Sequence, residues 1–409
     1  MIALLIAGAL AAAADWPQWR GPGRDGAVAS FEAPRAWPKS LKLKWKVPAG
    51  EGHSSPVVSG GRIYVHTRQG EQEVVAALEF ATGKVVWRDS YAAPFTKNQY
   101  AVRHPKGPHS TPLLRDGRLY TLGIGATLSC YDTAAGRLIW RKDSKELIER
   151  RSALVDTSKL FTGTAGSPMI EGGLLIAHLG DDRGGEIVAL DAATGQKRWG
   201  WRGDGPGYAS PIVADLEGMR QVVTLTDKSV VGVAAASGEL LWRLPYPDEW
   251  NENIVTPVVH RGRLILSGVR KPTVAVRLLR RGKEWTTETV WQNPDLSMYM
   301  STPLLDGDVL YGFSSKKKGM FFGLDARTGK TLWSTAGRDA EHATVLGAGP
   351  WLVVLTTGGE LIFAPKSANG FQPAARYTVA DSPTWAHPVL AGREILVKDA
   401  SSLALWSVE

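Results

Sequence analysis

The chain of 409 residues carries one cysteine, Cys130, so no internal disulfide can close and no Cys-x-x-Cys-His segment offers haem attachment. Long apolar runs are nearly as scarce. Apart from the terminal run Met1 to Ala14, none approaches the ~20 residues of a membrane-spanning helix, and no transmembrane segment is expected. Three short chemical signatures are missing as well: a Gly-x-x-x-x-Gly-Lys-Ser/Thr phosphate loop, a Gly-x-Ser-x-Gly elbow and a His-Glu-x-x-His helix. No catalytic residue and no metal ligand is assigned on sequence grounds.

What the chain does have is turn formers and core material: 45 Gly, 24 Pro and 16 Trp, which favours many short strands over long helices. The run Met1 to Ala14 ends in four alanines before Asp15 and reads as a signal peptide over residues 1–14, although no Lys or Arg precedes it. Residues 15–409 are then one exported domain, periplasmic or secreted, with no Cys after the leader to carry a lipid. The formal charge of +8 suits an anionic partner, but Lys and Arg are spread along the chain, and nucleic acid is not an expected ligand of an exported protein. A monomer is expected.

A unit recurs along the domain, opening with Ser/Thr-Pro and closing with Trp. The openings are Ser55-Pro56, Thr111-Pro112, Ser167-Pro168, Ser210-Pro211, Thr256-Pro257 and Thr302-Pro303, followed by degenerate ones at Ala343-Thr344 and His387-Pro388. In the first unit Val57-Val58, Ile63 to His66, Val74 to Leu78 and Val85 to Trp87 read as strands a to d, punctuated by Gly60-Gly61 and Thr82-Gly83. Four strands at a period of about 40 to 55 residues make a propeller blade. The fold expected is all-β, an eight-bladed β-propeller of four-stranded antiparallel blades. The last unit lacks a fourth strand, whereas Leu43 to Val47 carries a closing Trp45 with no strands before it. That N-terminal strand, reached by an arm over residues 15–41, is expected to close the ring and remove open sheet edges. Between units, Asp143 to Arg151 looks helical, and Pro94 to Pro108 forms a long loop containing Arg103-His104-Pro105-Lys106.

The third unit reads Ala189-Leu190-Asp191-Ala192-Ala193-Thr194-Gly195 with Trp199, and the sixth reads Gly323-Leu324-Asp325-Ala326-Arg327-Thr328-Gly329 with Trp333. This pattern resembles the tryptophan-docking motif of pyrroloquinoline-quinone-like propellers, and Asp15-Trp16-Pro17-Gln18-Trp19-Arg20-Gly21-Pro22-Gly23 is similar to the start of exported bacterial members. The resemblance implies a Trp stacked between blades. That family holds both quinoprotein dehydrogenases and non-enzymatic scaffolds such as the BamB lipoprotein of outer-membrane assembly. In the dehydrogenases it implies pyrroloquinoline quinone (PQQ) on Ca²⁺ beneath a disulfide of adjacent cysteines, which Cys130 alone cannot form, and no segment here matches the Ca²⁺-ligand motifs.

Residues just before or within the openings should ring the mouth of the central channel: His53, His109, Thr164, Tyr208, Asn253, Tyr299, His342, Trp385 and His387. Such a ring suits a sugar, an aromatic cofactor or a metal, or else each side chain simply caps its own strand. On the same face the b to c loops carry Arg68, Arg183, Arg270, Lys271, Lys316, Lys317 and Lys318, a candidate rim for an anionic small ligand, or ordinary solvated loop tips. The acidic pair Asp181-Asp182 is read as a solvated turn. The function expected is a non-catalytic binding or scaffold propeller of the bacterial cell envelope, with an envelope protein or polysaccharide as partner. The alternative is a PQQ-dependent oxidoreductase acting on an alcohol or sugar. No cofactor is supported by the residues themselves.

Overall fold

A computed structural model describes residues 15–29, 31–148 and 155–409. The leader expected over residues 1–14 lies outside the described residues. So does the end of the polar stretch at 143–151, of which one helical turn is seen, Ser144–Leu147, closed by a reciprocal cap between Asp143 and Glu146.

Eight sheets stand around a central channel, each antiparallel along its a to d strands. Blade 1 comprises Val57–Ser59, Arg62–Gln69, Gln72–Glu79 and Val85–Ala92. Its two middle strands are buried on both faces while the outer strand alternates, because each inner strand lies between neighbouring sheets and the rim meets water. The ring closes as expected. Lys42–Pro48 pairs with Ser402–Ser407 and supplies the fourth strand of blade 8, beside Glu394–Lys398 and Val389–Ala391.

A one-residue slip in strand pairing falls just ahead of the closing Trp in every blade that has one: Trp87, Trp140, Trp199, Trp242, Trp291, Trp333 and Trp45. A bulge of this kind re-aims a side chain. In most blades it turns the indole across the gap to the next, where Trp87 donates its N–H to the Thr133 carbonyl (2.9 Å), Trp140 to Ala192 (3.1 Å), Trp291 to Ala326 (3.0 Å) and Trp45 to Phe80 (3.0 Å), whereas Trp242 donates to Gln221 Oε1 of its own blade (2.5 Å). Blade 7 ends in Tyr377 and keeps regular pairing; its hydroxyl donates instead to the Pro38 carbonyl at 2.8 Å.

Two constraints meet at the glycine of the facing turn. Gly136 sits at φ +71°, and a Cβ there would lie 2.4 Å from the Trp87 ring. Gly117 has a similar φ of +73° in open space.

At the channel the blades are joined by a second set of contacts. The backbone N–H of Ser55 donates to Thr111 Oγ1 (3.3 Å), Thr111 to Ser167 Oγ (3.0 Å), Ser167 to Ser210 Oγ (3.0 Å), Ser210 to Thr256 Oγ1 (3.0 Å) and Thr256 to Thr302 Oγ1 (3.2 Å). His387 N–H returns to Ser55 Oγ at 2.7 Å. The Ser or Thr of each opening is thus the acceptor for the preceding blade.

The circlet is incomplete at blade 7, where the opening is degenerate, and there the N-terminal arm intervenes. Ala27–Val28 adds a fifth, parallel strand to the inner edge of Ala343–Ala348. Trp16 exchanges backbone hydrogen bonds with Val58 of blade 1, and Pro17 O accepts from Leu114 N–H of blade 2. Arg24 donates to the carbonyls of Ser167, Pro168 and Pro211, and Arg20, 1% exposed, to those of Thr302 and Pro303. The arm closes the channel from the far side with two guanidiniums whose terminal nitrogens donate mainly to main-chain carbonyls.

The two glycines allow the interblade contact to be measured apart from backbone strain. Gly117→Ala should cost about 1 kcal/mol for its positive φ. Gly136→Ala should cost a further ~1–3 kcal/mol for the forced contact with Trp87. Equal losses in denaturant midpoint would contradict a tight Trp87 contact.

Candidate ligand-binding site

The openings of the a strands and the loops before them surround a recess of 160 Å³ at the channel mouth. Trp19 of the arm forms part of its lining, with the guanidinium carbons of Arg20 and Arg24 5.6 and 5.5 Å from the ring centroid. Burial lowers Arg20 to about 10 and Arg24 to about 9, so both stay charged at neutral pH.

Rings fill the upper wall. His53 is stacked between His109 (4.3 Å, 13°) and Trp385 (5.0 Å, 20°), and His387 lies 5.9 Å from Trp19. The long loop contributes His104, which packs at 5.2 Å from Trp385 and 5.6 Å from Phe161. Its neighbour Arg103 reaches across the face to Glu341 of blade 7 at 3.1 Å. Burial is the main reason that the imidazoles stay neutral: His109 and His387 are lowered to about 3, and His53, His104 and His342 are lowered too, His53 also by the neighbouring imidazoles. His53 Nε2, His109 Nε2 and His387 Nδ1 are buried without a hydrogen-bond partner. Lys398 approaches the same group from below, donating to the Gly52 carbonyl at 2.7 Å, with burial lowering it to about 8.

The sequence-selected ring divides. His53, His109, Tyr208, Trp385 and His387 line the recess. Tyr299 and His342 line a neighbouring one, which shares His104, Phe161 and Trp385 with it. Asn253 faces neither: its side-chain amide donates to the carbonyls of Thr226 and Tyr246, 2.9 Å each. Thr164 Oγ1 is buried without a partner.

The basic rim also divides. Arg68 is 2% exposed, with donors on the Gly70 and Ala93 carbonyls and Glu71, so it holds the loops of its own blade. Lys271 is half-buried, donating to Tyr246 O and Asn253 Oδ1, and Arg183 pairs with Asp181 at 2.8 Å. Asp181 is thereby buried and ion-paired, not a solvated turn residue. Arg270 lies over Trp250 at 4.4 Å, and Lys316, Lys317 and Lys318 are exposed on a short 3₁₀ turn. Trp19, His104, Lys398 and the two buried arginines were not selected from the sequence; the doubled Trp and Arg of residues 16–24, outside every repeat, were the signal for most of them.

A family model described as outer membrane protein assembly factor BamB matches residues 36–104 and 71–335. The chain belongs to this family. Among BamB proteins, that of Shewanella oneidensis is 26% identical over 59% of this chain and 60% of its own, and that of Kangiella koreensis 27% over 41% and 38%. The quinohemoprotein alcohol dehydrogenase of Comamonas testosteroni is 26% identical over 78% of this chain and 46% of its own length. These matches therefore span less than two thirds of each relative. The fold agrees with the crystal structure of BamB from Moraxella catarrhalis, with a TM-score of 0.60, 15% identity, and coverage of 90% of this chain and 99% of that one.

The dehydrogenase relatives raise the question of a quinone held on Ca²⁺. Among the described residues no carboxylate lines the recess, and its walls are imidazoles, rings, hydroxyls and small side chains, so this donor set does not fit that group.

The neutral imidazoles set the pH dependence of stability. In the unfolded chain they take protons near 6.5; folded, His109 and His387 do so only near 3. The unfolded state therefore binds more protons below about pH 6.5, and stability falls as pH drops from there. Asp227, raised by burial to about 6, and Glu252, also raised by burial, oppose this as two groups against several. The melting temperature should fall only slightly from about pH 8 to 7, where Lys398 finishes taking its proton, and decline more steeply from about 6.5 to 5, with a smaller decline in His109→Phe. A flat profile down to pH 5 would contradict neutral buried rings.

Proposed function

We propose that the protein is an exported, non-catalytic binding and scaffold propeller of the bacterial cell envelope, which presents its channel-mouth face to an outer-membrane assembly protein. The observation that carries this reading is the BamB family match across residues 36–335. Three features support it. The terminal run Met1 to Ala14 has the composition of an export leader. The loops on the channel-mouth face expose Tyr100 (75%), Val102 (72%) and Trp250 (48%), large apolar groups of the kind that anchor protein contacts. Among the described residues no helix is long and apolar enough to cross a membrane. The recess itself is lined by neutral imidazoles and hydroxyls, which suits binding.

A photo-crosslinking residue at position 100 should capture an outer-membrane assembly protein in intact cells, whereas the same residue at Val85, 61% exposed on an outer strand, should not. Absence of a specific adduct from position 100 would overturn the scaffold role. In parallel, the purified chain incubated with PQQ and Ca²⁺ should reduce no dye with alcohols or sugars. Turnover there would replace the reading with a quinoprotein oxidoreductase.

A further inference from the structure

Every hydroxyl of the circlet accepts an N–H from the preceding blade, which fixes where its oxygen stands. Among the described residues, none of Ser55, Thr111, Ser167, Ser210, Thr256 and Thr302 donates its own O–H in return. All six line the recess. A recess rich in fixed donors and free of carboxylates is complementary to an acceptor-rich ligand.

Charge points the same way. Three buried cations, Lys398, Arg20 and Arg24, stand close enough to act on the imidazoles or on Trp19. The carboxylate beside Lys398, that of Asp399, is turned to the N–H groups of Ser401 and Ser402 at 2.9 and 2.6 Å. The arginines hydrogen-bond to main-chain carbonyls, and the carboxylates of Asp25 and Glu51 act on Arg20 and Lys398 through space without a hydrogen bond to either. Shape and size complete the description: the upper wall is a stack of near-parallel rings, and 160 Å³ is close to the ~150 Å³ of an apolar cavity that holds one benzene.

We infer that the channel-mouth recess binds a small organic anion built from one planar ring and a carboxylate. The carboxylate is taken by the hydroxyl circlet, and the ring lies against the edges that the stacked His53, His109 and Trp385 turn to the recess. This rests on the reading of the protein as a binding propeller and names the ligand class of that site.

Benzoate is the direct probe, with benzyl alcohol, cyclohexanecarboxylate and inorganic phosphate as comparisons, each titrated into the full chain. Intrinsic fluorescence reports from Trp19 and Trp385, and 4-fluorobenzoate gives an independent resonance. Benzoate should saturate one site and raise the melting temperature. Benzyl alcohol, cyclohexanecarboxylate and phosphate, which lack the charge, the planar ring or any ring at all, should each bind at least about tenfold more weakly. Thr256→Val removes one O–H and should weaken benzoate by about tenfold. Because Thr256 Oγ1 also accepts the Ser210 N–H, that variant can lose stability. Trp385→Leu, whose side chain makes ring contacts only, then carries the test and should weaken benzoate while sparing phosphate. No saturation by benzoate, equal binding of benzyl alcohol or phosphate, or unchanged affinity in both variants would overturn the inference. Capture of an envelope partner without benzoate binding removes only the ligand; benzoate binding without a partner removes only the scaffold role.

Discussion

The backbone N–H of one blade, donated to the Ser or Thr hydroxyl that opens the next, is the contact on which the architecture turns. At the channel the innermost strands are short, as in Val57–Ser59 and Met169–Glu171, and apart from contacts with the N-terminal arm, such as those of Val58 and Ala343–Ala348, they have no sheet partner on their inner side. An unpaired N–H there would be buried at a cost of ~1–3 kcal/mol. The hydroxyl satisfies it, sets the angle between successive sheets, and lets the following proline, which has no N–H to lose, occupy the first inner position. One residue type therefore settles ring geometry and the chemistry of the recess together.

The same reasoning explains the arm. Where the opening loses its Ser/Thr-Pro, at blade 7, a strand from the arm pairs with the inner edge, and Arg20 and Arg24 supply donors to the carbonyls that the short a strands leave over. Around the rim the closing tryptophans play the corresponding part, and Trp45, Trp87, Trp140, Trp291 and Trp333, each following a bulge, donate to a carbonyl of the next blade. Inner circlet and outer indoles brace the sheets at both edges, except blade 7, which is held by the arm and by Tyr377. The pair of braces is why a ring of short strands needs no disulfide.

Features that repeat were legible in the sequence. Blade count, strand order and closure by Leu43 to Val47 all follow from a unit stated eight times with small variations, since a single misleading position is outvoted by its equivalents. Part of the candidate site was legible for the same reason, because His53, His109 and Trp385 occupy equivalent places two residues ahead of their openings, and His387 stands at an opening itself. What happens once was not. The arm has no equivalent to compare with, and His104 arrives on an insertion. Arg68 lies at a loop position where arginine is usually solvated, and only the meeting of Gly70, Ala93 and Glu71 draws it inside. Asn253 was correctly placed in sequence but is consumed by carbonyls of the preceding blade, a contact between segments 27 residues apart that no local pattern announces.

Amide hydrogen exchange at the circlet tests this account most directly. If the hydroxyl contacts hold the ring, the N–H groups of Ser55, Thr111, Ser167, Ser210 and Thr256 should exchange only as the whole propeller unfolds, as slowly as the central strands, although each lies at the end of its strand beside the recess. Exchange of these five at rates typical of exposed loop amides would contradict it.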